Sequence, residues 1–292
     1  MSYQRREFLK LSSGFASAIA FSSIIGKPGF TDNFFEGAKK LKAFGLQLYS
    51  LRDVLPNDPK GILKQVASFG YKQIESYEGP KGMFWGMTNI EFKKYMDDLG
   101  MTIISSHCDT TKDFEKKVAD AAAIGMKWIM FPYEGAGKTI DDYKKYAEDF
   151  NKKGELCKRN GIRFAFHNHD FSFRAINGIF PEDILLQNTD PSLVDFEMDM
   201  YWVVTPGQDP VAWLKKYPKR FPLVHVKDRT KGATATADTC TLGRGSIDYP
   251  SILKEARKQG VQYYIVEQEK YEGTTPIDSA RDDAEYMKKL SI

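Results

Sequence analysis

From residue 41 to its end the chain repeats one pattern eight times: a short run rich in β-branched and aromatic residues, a polar loop, an amphipathic stretch of helical period, and a turn into the next run. The runs fall at 43–49, 73–77, 102–107, 128–133, 163–169, 193–199, 223–228 and 263–267, and the helical stretches at 59–69, 89–99, 112–124, 140–159, 181–186, 210–216, 249–259 and 276–290. Several helices start on a proline (Pro59, Pro181, Pro210, Pro276), which suits a first turn that has no use for the missing N–H. Gly70, Gly100, Gly125, Gly161 and Gly260 stand where helices end. Strict alternation with near-continuous apolar runs calls for a parallel sheet covered by helices, and eight strands is the number that closes. The expectation is a single-domain α/β protein, a (β/α)8 TIM barrel over residues 41–292. A doubly wound open sheet is the runner-up, but no GxGxxG follows the first run.

Composition limits the partners. Hydrophobic residues make up 42% and charged residues 28%, an ordinary globular balance that excludes disorder. Cys108, Cys157 and Cys240 are far apart and form no CxxC pair, so no disulfide framework is expected. Residues 1–40 hold six of the 42 bases and three of the 39 acids, which leaves 36 of each in the body. A neutral body has no general attraction for phosphate backbones, so nucleic acid is excluded and a small, roughly neutral substrate is favoured. Beyond that substrate, self-association into a homo-oligomer stays open.

The first forty residues read as an address. Arg5 and Arg6 precede Phe8-Leu9-Lys10 and an uncharged run of small and apolar residues at 11–25, too short and too weakly apolar to be a good spanning helix. The pattern resembles a twin-arginine export signal and predicts a periplasmic protein exported already folded. No A-x-A cleavage site follows, so the segment stays as a tether if it is not removed.

Catalytic groups of such a barrel collect at the carboxyl ends of the strands. All four histidines fall there: His107 closes the third run, His167 and His169 the fifth, and His225 lies near the end of the seventh. Glu75, Glu197, Asp199, Asp228, Glu267 and Glu269 gather at the same level. Residues two apart on a strand face the same way, so His167 and His169 point into one pocket. Imidazoles and carboxylates from several strands suit a divalent metal, Mn²⁺ first, with Zn²⁺, Co²⁺ or Fe²⁺ open. Calcium and structural zinc are disfavoured, since neither an all-oxygen cage nor a cysteine cluster is present.

The segments Phe166-His167-Asn168-His169-Asp170-Phe171, Asp195-Phe196-Glu197-Met198-Asp199-Met200-Tyr201-Trp202, Val224-His225-Val226-Lys227-Asp228 and Val266-Glu267-Gln268 resemble, in this order and spacing, the xylose isomerase-like barrel superfamily. That superfamily of sugar phosphate isomerases/epimerases also includes inosose dehydratase, ketose 3-epimerases and endonuclease IV. The resemblance implies a metal held by an acid on strand five, Asp on strand six, His on strand seven and Glu on strand eight. Asp199, His225 and Glu267 match; His167 stands where the family has the Glu of a Glu-Asn-His run. In ketose 3-epimerases the glutamates of strands five and eight act as opposed bases, so His167 favours an isomerase, dehydratase or lyase over a symmetric epimerase.

Such a metal polarises a sugar carbonyl and its neighbouring hydroxyl, lowers the barrier to removing the adjacent proton and holds the enediolate. The candidate bases are Glu267, His169 and Glu75, in that order. Lys227 either stabilises oxyanion charge or forms a salt bridge to Glu197 or Glu267. His107 is expected at the substrate, and Trp202 and Trp85 either stack on a sugar face or pack their loops. Residues 229–246, nearly free of bulky apolar side chains, read as a mobile flap whose Arg244 reaches a substrate carboxylate or phosphate, or else is solvated. Phosphorylated sugars are scarce outside the cytoplasm, so an unphosphorylated sugar, keto-sugar, glycoside or cyclitol is expected. The leading expectation is a metal-dependent sugar isomerase or epimerase, followed by a dehydratase or lyase acting on a 3-keto-glycoside or inosose. A non-catalytic sugar-binding barrel is the alternative of another class.

Overall fold

A computed structural model describes residues 40–133 and 135–292. The paired arginines and the rest of the expected export segment, to residue 39, lie outside the described residues. Eight parallel strands close into a barrel: β1 (Gly45–Gln47), β2 (Gln73–Tyr77), β3 (Thr102–His107), β4 (Trp128–Phe131), β5 (Arg163–His167), β6 (Val194–Asp199), β7 (Leu223–Val226) and β8 (Tyr263–Val266). Each pairs with its neighbours in chain order, and β8 returns to β1 through Gly45↔Ile265 and Leu46↔Val266.

The helices are α1 (Pro59–Phe69), α2 (Asn89–Asp98), α3 (Phe114–Ala123), α4 (Ile140–Arg159), α5 (Pro181–Asn188), α6 (Met200–Val204), α7 (Pro210–Lys216), α8 (Tyr249–Lys258) and α9 (Pro276–Lys289). Their starts are set locally. Thr88 with Glu91 and Thr139 with Asp142 form reciprocal capping boxes at α2 and α4, and Asp58 accepts from the N–H of Gly61 at α1. Helix α1 ends on Gly70 at φ 102°, a left-handed conformation that a Cβ would strain. Among the described residues no helix is long and apolar enough to cross a membrane.

Strand alternation sorts the side chains into two cores. The outward positions pack against the helices in one large cluster that includes Ile129, Phe164, Phe166, Val224 and Val266. The inward positions Ile104, Trp128, Met130, Ala165 and Leu223 form a separate small cluster. Asp195, on the same face of β6, accepts from Trp128 Nε1 at 2.7 Å and from both Nε and an NH₂ group of Arg163. Next along the inward faces come Gln47, Glu75, Ser105, Glu197 and His225, all buried, where such a barrel ordinarily carries branched apolar residues.

Three local features depart from the sequence reading. The first, fourth, fifth and seventh runs are shorter as strands: β1 passes into a 3-10 turn at Leu48–Leu51, β4 stops at Phe131, β5 at His167 and β7 at Val226. The run after β6 turns at once into α6, because the Asp199 carboxylate caps the N–H groups of Tyr201 and Trp202. Residues 229–246, expected as a flap, are built on a small antiparallel hairpin pairing Asp228–Arg229 with Thr239–Cys240. The guanidinium of Arg229 donates to the carbonyls of Ala233, Ala235 and Thr236, while Asp228 accepts from the N–H groups of Gly243, Gly245 and Ile247.

Candidate metal centre

At the carboxyl end of the barrel, side chains of β2, β3, β5, β6, β7 and β8 meet beneath a cavity of about 590 Å³. Tyr49, Tyr77, Glu78, His107, Asp109 and Tyr133 are among its lining residues, and His167, His169, Glu267 and Glu269 line its inner wall. The strand ends account for the convergence. Asp199 closes β6, His225 faces inward on β7, and Glu267 follows the last residue of β8.

Asp199 is fixed by its own helix. One oxygen, Oδ1, caps α6 at 2.9 Å from the N–H of Tyr201, so Oδ2 is turned into the site. Oδ2 is buried and takes no directed hydrogen bond. It lies 3.7 Å from His225 Nδ1, 4.0 Å from His167 Nε2 and 2.8 Å from Lys227 Nζ. Glu267 Oε2 stands 3.2 Å from the same His225 nitrogen. Donor atoms of Asp199, His225 and Glu267 lie within 4.8 Å of one another. A carboxylate oxygen paired with Lys227 and facing His225 Nδ1 and Glu267 Oε2 belongs to a donor set that fits a divalent cation; His107, His167, Glu197 and His225 form a second group of converging donors, and His167 meets the first through Asp199 Oδ2 at 4.0 Å.

A second set of contacts lies on the far side of the histidines. His225 Nε2 is 2.7 Å from Glu75 Oε1 and 3.1 Å from Glu197 Oε2. His167 Nδ1 and His107 Nε2 each lie 3.0 Å from Glu197 Oε2, and His107 Nε2 is 3.2 Å from Glu75 Oε1. Gln47 and Ser105 donate to the two oxygens of Glu75. A register shift between Ile74 and Glu75, which pairs Glu75 with Ser105, brings that serine into place.

Burial and charge act against each other throughout. For His107 burial favours the neutral ring, but Glu75 and Glu197 outweigh it and raise the pKa to about 9. For His225 the same opposition ends well above the ordinary value, through Glu197 and Glu267. His167 has burial and the neighbouring imidazoles of His225 and His107 both pushing down, and it falls well below. His169 falls to about 4, through burial and then Lys227. The Lys227 ammonium is kept far above its usual range, against burial, by Asp199, Glu267 and Glu269. Burial would raise the carboxyl of Glu267, but Lys227 and His225 hold it below the usual carboxylate range.

The other residues singled out in the sequence divide as follows. His107, His169 and Glu267 line the cavity, and His169 Nδ1 is buried without a partner. Lys227 is buried in a triple contact with Asp199, Glu267 and Glu269, at 2.8, 2.6 and 2.6 Å. Glu75 is wholly buried and absent from the cavity lining, which sets it apart from a base in reach of substrate. Trp202 is buried beside Lys227 and His169, with Nζ 5.1 Å from its ring. Trp85 is buried against Tyr77 and donates to Ser76 Oγ, so it packs its loop. Arg244 is exposed and pairs with Asp282 on α9, outside the cavity. The tyrosines of the mouth went unread. Tyr77 and Tyr133 sit at strand ends and Tyr49 in the turn after β1, where an aromatic belongs equally to a core run. Glu197 was legible only as one of the acids gathered at the strand ends and as a candidate partner of Lys227.

The comparisons agree with this fold. The family model described as xylose isomerase-like TIM barrel matches residues 63–290. A solved sugar phosphate isomerase/epimerase from Parabacteroides distasonis is 31% identical, with 88% of this chain and 97% of that one covered at a TM-score of 0.72. An inosose dehydratase of Mesomycoplasma hyopneumoniae is 24% identical over 236 residues, 68% of this chain and 78% of that protein. The solved IOLI protein with a binding zinc atom shares the fold at a TM-score of 0.66 and 14% identity, over 83% of this chain and 95% of its own. The chain belongs to the xylose isomerase-like TIM barrel family.

Proposed function

We propose that the protein is a divalent-metal-dependent enzyme that removes a proton next to a carbonyl of a small polyhydroxylated substrate and completes the reaction by expelling water. The observation that carries this reading is His167. An imidazole with Nδ1 committed to Glu197 stands where an epimerase of this family would have a carboxylate, so the site has no matched pair of carboxylate bases across the substrate. Elimination needs two unlike groups instead. His169, whose Nδ1 is free, is placed to take the proton. His107, with Nε2 held by Glu75 and Glu197, has its second N–H, on Nδ1, to give to the departing hydroxyl. The pair of electrons from the broken C–H bond forms the new double bond, and hydroxide with the His107 proton leaves as water. Asp199, His225, Glu267 and His167 would hold the ion, which when bound supplies Lewis-acid polarisation of the carbonyl. The second nitrogen donor in place of an acid moves the preference from Mn²⁺ toward Zn²⁺, in line with the zinc of the IOLI protein.

The curated relative named an inosose dehydratase supports a keto-cyclitol or keto-sugar as substrate. Sugar isomerisation or epimerisation on the same residues is the second reading, favoured by the name of the Parabacteroides structure. Incubating the metal-loaded protein with an inosose, keto-sugars and 3-keto-glycosides in D₂O separates them. An unsaturated ketone with loss of water is expected; deuterium uptake with an epimer or isomer and no unsaturated product overturns dehydration in favour of the second reading. We further propose twin-arginine export on Arg5 and Arg6. A reporter fused to residues 1–40 should reach the periplasm, and Arg5→Lys with Arg6→Lys should keep it in the cytoplasm; equal export of both would contradict the proposal.

A further inference from the structure

We infer that Glu75 and Glu197 are positioning residues, two buried carboxylates that set which ring nitrogen of His225 and His167 carries the hydrogen and thereby aim the remaining nitrogens at Asp199. The inference rests on the metal reading above, in which the two acids appear only as partners of His167 and His107.

A neutral imidazole has one N–H and one lone pair, and the hydrogen bond made by one nitrogen decides the state of the other. An ionised carboxylate only accepts. The shortest contact of His225 is Nε2 to Glu75 Oε1 at 2.7 Å, with Glu197 Oε2 3.1 Å from the same nitrogen. When Nδ1 binds a cation, the hydrogen that remains therefore belongs on Nε2, and Nδ1 is the nitrogen that faces Glu267 Oε2 and Asp199 Oδ2. His167 is arranged the other way round. Its Nδ1 lies 3.0 Å from Glu197 Oε2, so the hydrogen belongs there, and Nε2 looks toward Asp199 Oδ2. One ring thus offers Nδ1 and the other Nε2, and both nitrogens face the same oxygen, Asp199 Oδ2.

The two carboxylates are themselves immobilised. Glu75 is held by Gln47 Nε2 at 2.7 Å and Ser105 Oγ at 2.5 Å, and His107 Nε2 bridges it to Glu197. Both are wholly buried, and neither lines the cavity. Two acids buried side by side at the centre of a barrel cost folding energy, and an apolar layer would fill that space without the cost. Fixing the rings is what this layer does that an apolar one would not. Removing such an outer partner of a metal-binding histidine typically weakens metal binding about 10- to 100-fold.

The test uses the full chain with Zn²⁺ as probe. In zinc-loaded protein labelled with ¹⁵N-histidine, long-range ¹H–¹⁵N correlations should show His225 as the Nε2–H form and His167 as the Nδ1–H form. Glu75→Gln and Glu197→Gln, titrated against a competing chelator, should each bind Zn²⁺ about 10- to 100-fold more weakly. Wild-type tautomers opposite to these, or wild-type zinc affinity in both variants, would overturn the inference while leaving the metal reading intact. A wild-type protein that takes up no zinc would overturn both. If a variant does not fold, the wild-type tautomers decide.

Discussion

The ammonium nitrogen of Lys227 lies 2.6 Å from Oε2 of Glu267, and both side chains are almost completely out of solvent. The same nitrogen touches Asp199 and Glu269, so a single lysine neutralises a corner that three carboxylates share. Of the two roles the sequence left open for Lys227, the salt bridge to Glu267 is the one present in the structure, and it places the charge beside the proposed cation donors.

Lys227→Met should therefore leave buried carboxylates without a cation. Loss of one partner of a buried ion pair costs roughly 3–5 kcal/mol. Urea unfolding in the presence of a chelator should show a loss of that order, partly restored by Zn²⁺. A change within about 1 kcal/mol would mean that the contact contributes little.

Asp283 sets a second expectation, remote from the metal donors. Burial raises its carboxyl to about 8, against the lowering effect of the N–H of Leu242. The folded chain therefore holds a proton that the unfolded chain releases near pH 4. This contribution to stability is complete below that pH and is lost as pH rises through about 8, with a slope of up to about 1.4 kcal/mol per pH unit. Asp283→Asn keeps an acceptor for Leu242 and should flatten the fall in unfolding free energy between pH 5 and 8. An unchanged slope in the variant would refute the assignment.

Arg229 ties down the hairpin over residues 230–238. Arg229→Met removes donors to three carbonyls, each bond contributing roughly 0.5–1.5 kcal/mol. Trypsin should then cut after Lys231 at least about tenfold faster than in the wild type. Equal rates would show that the loop opens freely without the latch.

The mouth of the cavity should act on binding. Tyr133 is among the most exposed large aromatics described, and it packs edge-on against His169. Tyr133→Ala should raise KM by about 3- to 10-fold with kcat nearly unchanged, as expected for loss of uniform substrate binding worth about 1 kcal/mol. A fall in kcat at constant KM would place Tyr133 in the chemistry instead.

Much of this was legible because the relevant signals are local. Strand and helix periods, Pro at first turns and Gly at helix ends mark the eight units, and residues two apart on one strand must share a face, which already grouped His167 with His169. Contacts between strands were not legible. Whether Ser105 reaches Glu75 depends on the bulge that pairs the two, and no period reveals a bulge. Met200-Tyr201-Trp202-Val203-Val204 carries strand-forming residues yet is helical because Asp199 caps it. Arg244 and Trp85 lie in loops whose course the flanking elements do not fix, so the structure alone places one at the surface with Asp282 and the other against Tyr77.

The most direct measurement is the divalent metal content per chain of the wild type, Asp199→Ala and His225→Ala, each with its fold checked by circular dichroism. The account predicts one ion per wild-type chain and close to none in either variant, both still folded. Full metal content retained in both folded variants would contradict it.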